Sequence, residues 1–584
     1  MLRSQIKKDI EKVVSGVVGQ WDGGIEVTRT ADEKFGDYSS NIALRIATRN
    51  KKQETRNKDE LYQSPMEFAK ILADSLKSQP YLEKLEVKEP GFINFFIKDN
   101  IWQKEVEKLL NKKAFGSPYS SKKIIVEFTD PNPFKEFHVG HLYSNSVGEA
   151  ISRMFEALGA QVKRANYQGD VGLHVAKCVW GMRFHIKNKK LNIKNLANKN
   201  LGERIDFLGL CYAAGAEAYE TDAKAKEEII KINQEIYEKQ DVIIEYKLGK
   251  AWSLENFEAI YKRLGTRFDL YYFESEVGTL GVEIVKKNLG RVFEMSKGAV
   301  IFPGEKYGLH NRVFITGAGL PTYEAKELGL AFKKYEDFAY NLSIIVTGNE
   351  IAEYFKVLLA AIKQVGPAIA KKTQHVAHGM VRMPGGKISS RLGNVISASW
   401  ILDEAGKRAL EFARQSEKGR RQDPDKIAEV VAVGAVKYAF LKGNASQDIK
   451  FSFEEAMSLE GNSGPYLQYT HARCRSVLEK GRWVGRSVGQ RADFSDLANE
   501  ERILLRALGH FEEVVVDAAS SFAPNQIAGF LFEVAQKYNA MYNNLRIIDS
   551  KEPDRSRRLF LTHATAKILE KGLNLLGISA PGKM

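Results

Sequence analysis

Residues Lys122-Lys123-Ile124-Ile125-Val126-Glu127-Phe128 run without a break into Thr129-Asp130-Pro131-Asn132-Pro133-Phe134-Lys135-Glu136-Phe137-His138-Val139-Gly140-His141. The apolar first part reads as a buried strand. The two prolines force a turn, and the apolar spacing from Val139 through Val147 and Ile151 reads as an amphipathic helix. A strand, a turn and a helix N-terminus make an anion site, because unpaired N–H groups and the helix dipole face the same ligand. His138 and His141, three apart at the helix mouth, can both donate to one triphosphate as its charge develops. Gly140 between them leaves room for a flat base against the backbone. A second segment, Lys387-Ile388-Ser389-Ser390-Arg391, follows far downstream in a glycine-bounded loop.

Outward from this centre the pattern is strand, turn, helix. Ala160–Tyr167 reads as a strand ending in Gly169-Asp170-Val171-Gly172. Leu342–Gly348 and His375–Met383 read as further strands, the last delivering the Lys387 loop. Such alternation implies α/β organisation, a parallel sheet with helices on both faces and ligands at the carboxyl ends of the strands. Highly charged helical patterns fill about 180–265, an insertion between the halves of the sheet. Residues 1–100 read as a small α+β unit: Ile6, Ile10, Val13, Val14 and Val17 stripe its first helix, and Pro90–Ile97 is a turn feeding a buried strand. Residues 101–121 read as a linker and 122–397 as a Rossmann-like catalytic domain. Residues 398–460 read as a helical connection and 461–584 as an all-α bundle.

The composition, 44% hydrophobic and 10% aromatic, is globular, and 584 residues are too many for one core. The net charge of +14 and pI near 9.2 suit a polyanion such as RNA. Cys178, Cys211 and Cys474 are the three cysteines, with no CxxC pair, so neither a disulfide framework nor a zinc site is expected. No apolar run approaches membrane-spanning length, and the first helix is amphipathic rather than a signal peptide. A cytoplasmic protein with no membrane partner is the expectation.

The His138–His141 segment resembles the HIGH signature of class I aminoacyl-tRNA synthetases, and Lys387–Arg391 resembles their KMSKS loop. Along nearly its whole length the chain looks like an arginyl-tRNA synthetase. Phe35–Asn41 and Pro90–Phe95 resemble the N-terminal tRNA-binding domain of that family. Val126-Glu127-Phe128 with Pro131-Asn132-Pro133 resembles its catalytic motif, and Glu460–Tyr469 with Gly572–Met584 resembles its anticodon-binding bundle. The resemblance implies activation of arginine with ATP and Mg²⁺, transfer to tRNA(Arg), and no zinc; a monomer is expected.

It also implies site residues. Glu127, Asn132, Tyr323 and Glu327 match the arginine-binding positions; a guanidinium suits carboxylates and an aromatic face. On spacing alone, Tyr323 and Glu327 at i and i+4 read more readily as a solvated helix face; the resemblance reverses that reading. ATP would meet His138, Gly140, His141, Lys387 and Ser389. The catalytic set would be Lys135, His138, His141, Lys387 and Arg391. Ser390 stands where the loop pattern has its second lysine, so Lys135 or Arg391 would supply the missing charge. Other readings are another class I synthetase, a smaller nucleotidyltransferase, or a non-catalytic tRNA-binding paralogue.

Overall fold

The computed structural model describes the chain apart from residues 20, 31, 53–63, 112–114, 189–191, 240–242, 384–395, 416–422 and 483–492. Lys387, Ser389, Ser390 and Arg391 therefore lie outside the described residues. The chain divides into two compact units.

One unit comprises residues 1–116, 470–517 and 530–569. Ile6, Ile10 and Val14, one per turn, are buried along the helix Leu2–Val18. Strands β1 (Thr28–Arg29), β2 (Tyr38–Ser40), β3 (Leu82–Lys88) and β4 (Phe92–Ile97) form an antiparallel sheet in the order β1-β2-β4-β3. Bundle helices of the same unit pack directly on these elements. Trp102 lies 4.5 Å from the His510 ring, and the buried Tyr38 hydroxyl donates to Glu513 at 3.1 Å. Arg3 forks onto Asp517 at 2.6 and 2.7 Å.

The other unit comprises 117–469, 518–529 and 570–584. Its central sheet contains β5 (Lys123–Glu127), β6 (Gln161–Gln168) and β7 (Leu270–Phe273). A small antiparallel sheet of β8 (Glu294–Ser296), β9 (Ala299–Phe302) and β10 (Arg312–Ile315) precedes the last two central strands, β11 (Leu342–Gly348) and β12 (Thr373–His378). The central order is β12-β11-β5-β6-β7, parallel throughout, with Ile345 level with Glu127 and Glu127 level with Ala165. Ile124, Ile125 and Val126 are buried in succession, as a strand covered on both faces requires. From β5 the chain passes to β6 on one side, while β11 lies on the other. The crevice of the sheet therefore opens at the carboxyl ends of β5 and β11.

Three sequence expectations are corrected here. The helical insertion begins at Leu173 rather than about 180 and runs to Leu264, as helices Leu173–Asn188, Ile193–Ala197, Leu201–Thr221, Ala223–Lys239 and Ile244–Leu264. The strand expected over His375–Met383 leaves the sheet at His378. Gly379 N–H donates to Ala445 O, and Val381–Arg382 pairs with Ile449–Lys450 instead. Strand β7, too short to show against its helical flanks, was not anticipated, nor was the β8–β10 sheet.

Candidate active site

The helix Val139–Ala157 starts at the carboxyl end of β5 and carries the two histidines on its first turn. Gly140 N–H donates to His138 Nδ1 at 3.1 Å, and His138 N–H donates to His141 Nδ1 at 3.2 Å. The rings stack, 3.7 Å between centroids. Burial and the neighbouring Lys135 hold the His138 pKa below its ordinary value. Burial, His138 and Lys135 press that of His141 further down. Both imidazoles are thus neutral with Nδ1 occupied as acceptor, which leaves each proton on Nε2 as a donor. A Cβ on Gly140 would lie 3.0 Å from the His138 ring, so the space over this glycine holds that ring before any base.

The turn between β5 and this helix is strained. Thr129, Asp130 and Phe134 have φ of 79°, 45° and 68°. Each is held: Thr129 N–H by Ser144 Oγ at 2.9 Å, Asp130 by its carboxylate accepting from Tyr167 N–H at 2.8 Å, and Phe134 N–H by Ser253 Oγ at 2.9 Å. The Phe134 ring occupies the space that a side chain on Gly249 would need, and joins the core of the helical insertion. The insertion thereby grips the motif. Downstream of the Lys387 loop, Ile396 O accepts from Val139 N–H at 2.8 Å and Ala398 N–H donates to Phe137 O at 3.0 Å. The chain leaving that loop is thus fixed beside the histidines.

Beyond the histidines lies a group of acids. Glu127, at the end of β5, is buried and ion-paired with the buried Lys334. Asp130 and Glu327 have pKa values pushed well above the carboxylate range by burial and by the charge of Glu127. Glu274, the first residue after β7, pairs with Lys326 at 2.6 Å, both buried. Asn132 Oδ1 and Glu274 Oε1 both crowd the site of a Cβ on Gly169, which places these two side chains together over the end of β6. Tyr323, 60% exposed, has the Lys326 ammonium 5.2 Å from its ring centroid.

The structure therefore brings Glu127 and Glu327 to one cluster, and Asn132 beside Glu274, with Tyr323 next to the Glu274–Lys326 pair. It brings Lys135, His138 and His141 to one helix mouth. Glu327 is not a solvated face: its carboxyl is enclosed by other carboxylates. Sequence reasoning missed Asp130, Glu274, Lys326 and Lys334. A carboxylate at the carboxyl end of a parallel strand was the available signal for Glu274, but it required β7 to be recognised. Among the described residues no group of three or more metal-holding side chains occurs, and no helix is long and apolar enough to cross a membrane.

Residues 105–453 match the family described as tRNA synthetases class I (R), catalytic domain. Residues 1–97 match the arginyl tRNA synthetase N terminal domain, and 467–584 the DALR anticodon binding domain. A curated arginine--tRNA ligase of Fusobacterium nucleatum is 30% identical, with 96% of this chain and 95% of that one covered. One of Thermococcus sibiricus is 31% identical, with 97% and 96% covered. The solved arginyl-tRNA synthetase of Thermus thermophilus matches over 100% of both chains at 26% identity with a TM-score of 0.83. That of Plasmodium falciparum, at 20% identity, covers 100% of this chain and 99% of its own with a TM-score of 0.78, a likeness of fold. With catalytic, N-terminal and C-terminal models all matched in order, the chain belongs to the class I arginyl-tRNA synthetase family.

Proposed function

We propose that the chain joins arginine to tRNA(Arg) in two steps. The arginine carboxylate attacks the α-phosphorus of ATP, a new O–P bond forms and pyrophosphate leaves. The terminal ribose hydroxyl of the tRNA then attacks the arginyl carbonyl, and AMP leaves. One observation carries the choice of amino acid. Lys334 and Lys326 pair with Glu127 and Glu274, which leaves Asp130 and Glu327, their pKa values held high by burial and by Glu127, without a cation of their own among the described residues. A guanidinium, always charged and planar, supplies it with fork geometry. Asn132 and Tyr323 would complete the arginine pocket.

His138 and His141 offer their Nε2 protons to the phosphates, beside the positive end of their helix. The protein acts by positioning and by stabilising charge, and supplies no nucleophile. Lys135 acts on His138 so as to lower its pKa, which supports Lys135 as a replacement cation; Lys387, Ser389 and Arg391 complete the set we assign to ATP. Mg²⁺ would arrive on the nucleotide phosphates. The exposed Glu350 carboxylate, whose charge acts on both His138 and His378, suits a phosphate-bound divalent cation. We assign the activity to a cytoplasmic monomer, which sedimentation of the purified protein checks.

The test is charging of mixed tRNA with arginine, lysine, glutamine and glutamate. Arginine should be preferred by about 10⁴ or more, since a wrong side chain leaves buried carboxylates unpaired. Glutamine or glutamate charged at comparable efficiency would overturn the assignment.

A further inference from the structure

Two phenols stand beside the acid cluster and have no task in the pocket so far. Glu127 is level with Ala165 on the neighbouring strand, so both side chains share one face of the sheet. Tyr167, two residues further along β6, shares it too. Gly169, two further again, is where Asn132 and Glu274 meet. Tyr167 therefore flanks the acids from the β6 side. Tyr354 comes from the opposite side. It lies on the first turn of the helix Ala352–Val365, which follows β11, and packs on the core that contains Ile345 and Leu328. Because β11 and β6 are the two neighbours of β5, the phenols bracket the strand that ends in Glu127.

Both hydroxyl oxygens are buried, and neither has a hydrogen-bond partner among the described residues. Burial and the charges of Glu274 and Glu327 raise the Tyr167 pKa well above its ordinary value. Burial, Glu327, Glu324 and Glu274 do the same to Tyr354, against the pull of Arg312. Each phenol is thus protonated and within reach of the field of these carboxyls, yet bonded to none of them. A buried hydroxyl without a partner costs free energy, and only a group that brings donors into the cluster can satisfy its oxygen. A guanidinium carries five N–H donors spread over three nitrogens in one plane, enough for two carboxylates and a phenol oxygen together. An ammonium has three donors on a single atom. We infer that Tyr167 and Tyr354 are specificity-determining residues, whose hydroxyls accept N–H groups of the arginine guanidinium while donating to the carboxylates beside them. This rests on the reading of the acid cluster as the arginine pocket, and adds to it the groups that tell a guanidinium from an ammonium.

Tyr167→Phe and Tyr354→Phe remove the two oxygens and keep the rings. In arginine charging, each should raise the KM for arginine by about tenfold or more, the scale of a hydrogen bond to a charged group, and by more than it lowers kcat. The double variant should narrow the preference for arginine over lysine by about tenfold or more. Thermal melts give a second reading of opposite sign. Without arginine each variant should melt higher than the unaltered protein, because an unpartnered buried oxygen is gone. At one fixed arginine concentration its melting temperature should then rise by less, because it binds arginine more weakly. An unchanged KM in both variants, even with a higher melting temperature, overturns the inference, as does an equal loss toward arginine and lysine. If arginine neither stabilises the unaltered protein nor is charged by it, the reading of the pocket fails instead.

Discussion

Glu327 shows how a single residue acquires its protonation state from its neighbours. Burial and the charge of Glu127 raise its pKa far above the carboxylate range, with Lys334 opposing them. In the free enzyme the carboxyl therefore keeps its proton at a pH where an ordinary glutamate would be ionised. In the arginine pocket proposed above, a guanidinium would pair with the ionised form, so binding would expel that proton. The sign follows: affinity rises with pH up to the raised pKa and is level above it. The KM for arginine should fall by roughly tenfold per pH unit on the rising limb. Glu327→Gln should raise this KM by about 10- to 100-fold, the scale of a hydrogen bond to a charged group, and should flatten the pH profile. Steady-state kinetics across pH measures both. A Glu327→Gln enzyme with unchanged KM and profile would remove this carboxylate from the pocket.

At the scale of elements, the turn from β5 into the histidine helix is the critical piece. Positive φ at three non-glycine residues costs about 1–3 kcal/mol each, offset by hydrogen bonds that Thr129 N–H donates to Ser144 Oγ, Phe134 N–H to Ser253 Oγ and Tyr167 N–H to the Asp130 carboxylate. Phe134 seated over Gly249 fixes the turn to the helix Ile244–Leu264. Gly249→Ala should displace that ring, cost about 1–3 kcal/mol of stability and slow adenylate formation by shifting His138. Phe134→Leu in the same chain should restore part of both losses, since the two positions share one space. Thermal melts and pyrophosphate exchange would show it. Full activity in Gly249→Ala alone would mean that the insertion does not hold the motif.

Within the unit that joins the N-terminal sheet to bundle helices, a partly buried charge network accompanies the apolar packing. Arg506 reaches Asp99 at 3.2 Å, Glu83 at 3.4 Å and Asp37 at 3.7 Å, and Asp37 also accepts from Ile97 N–H at 2.7 Å. Burial pushes the Asp37 pKa up to about 6, against the pull of Arg506. An acid whose folded pKa lies above its unfolded value binds its proton more tightly when folded. Stability from this group is therefore greatest below about 4 and declines as pH rises to about 6. Asp37→Asn keeps an acceptor for Ile97 and should flatten that decline, whereas Arg506→Ala should deepen it by leaving Asp37 and Asp99 unpaired. Unfolding curves at several pH values decide. Identical pH dependence in all three proteins would place the titration elsewhere. The same packing means that removing the N-terminal residues strips Tyr38 and Arg3 from Glu513 and Asp517, so such a truncation reports on folding as well as on tRNA binding.

By itself the sequence determined the parts whose cause is local. The apolar run Ile124–Val126, the prolines after it and the spacing of His138 and His141 specify strand, turn and helix through contacts within a few residues. The order of Phe35–Asn41, the histidine motif and Lys387–Arg391 carried the family. Even there local reading had limits: β7 is four residues long between helices, and the strand after His375 ends where Gly379 meets Ala445, a partner remote in sequence. Tertiary structure decided the electrostatics of the acid cluster. Glu127, Asp130, Glu274 and Glu327, with Lys326 and Lys334, come from β5, its turn, the end of β7 and one helix, and no spacing in the chain relates them. Lys135 likewise meets the Tyr212 ring, remote from it in sequence, only in the folded chain. Backbone hydrogen bonding and side-chain periodicity act between neighbours in sequence, whereas desolvation and charge act between neighbours in space. The elements were legible for the first reason, and the electrostatics of the site only appear once the chain has folded for the second.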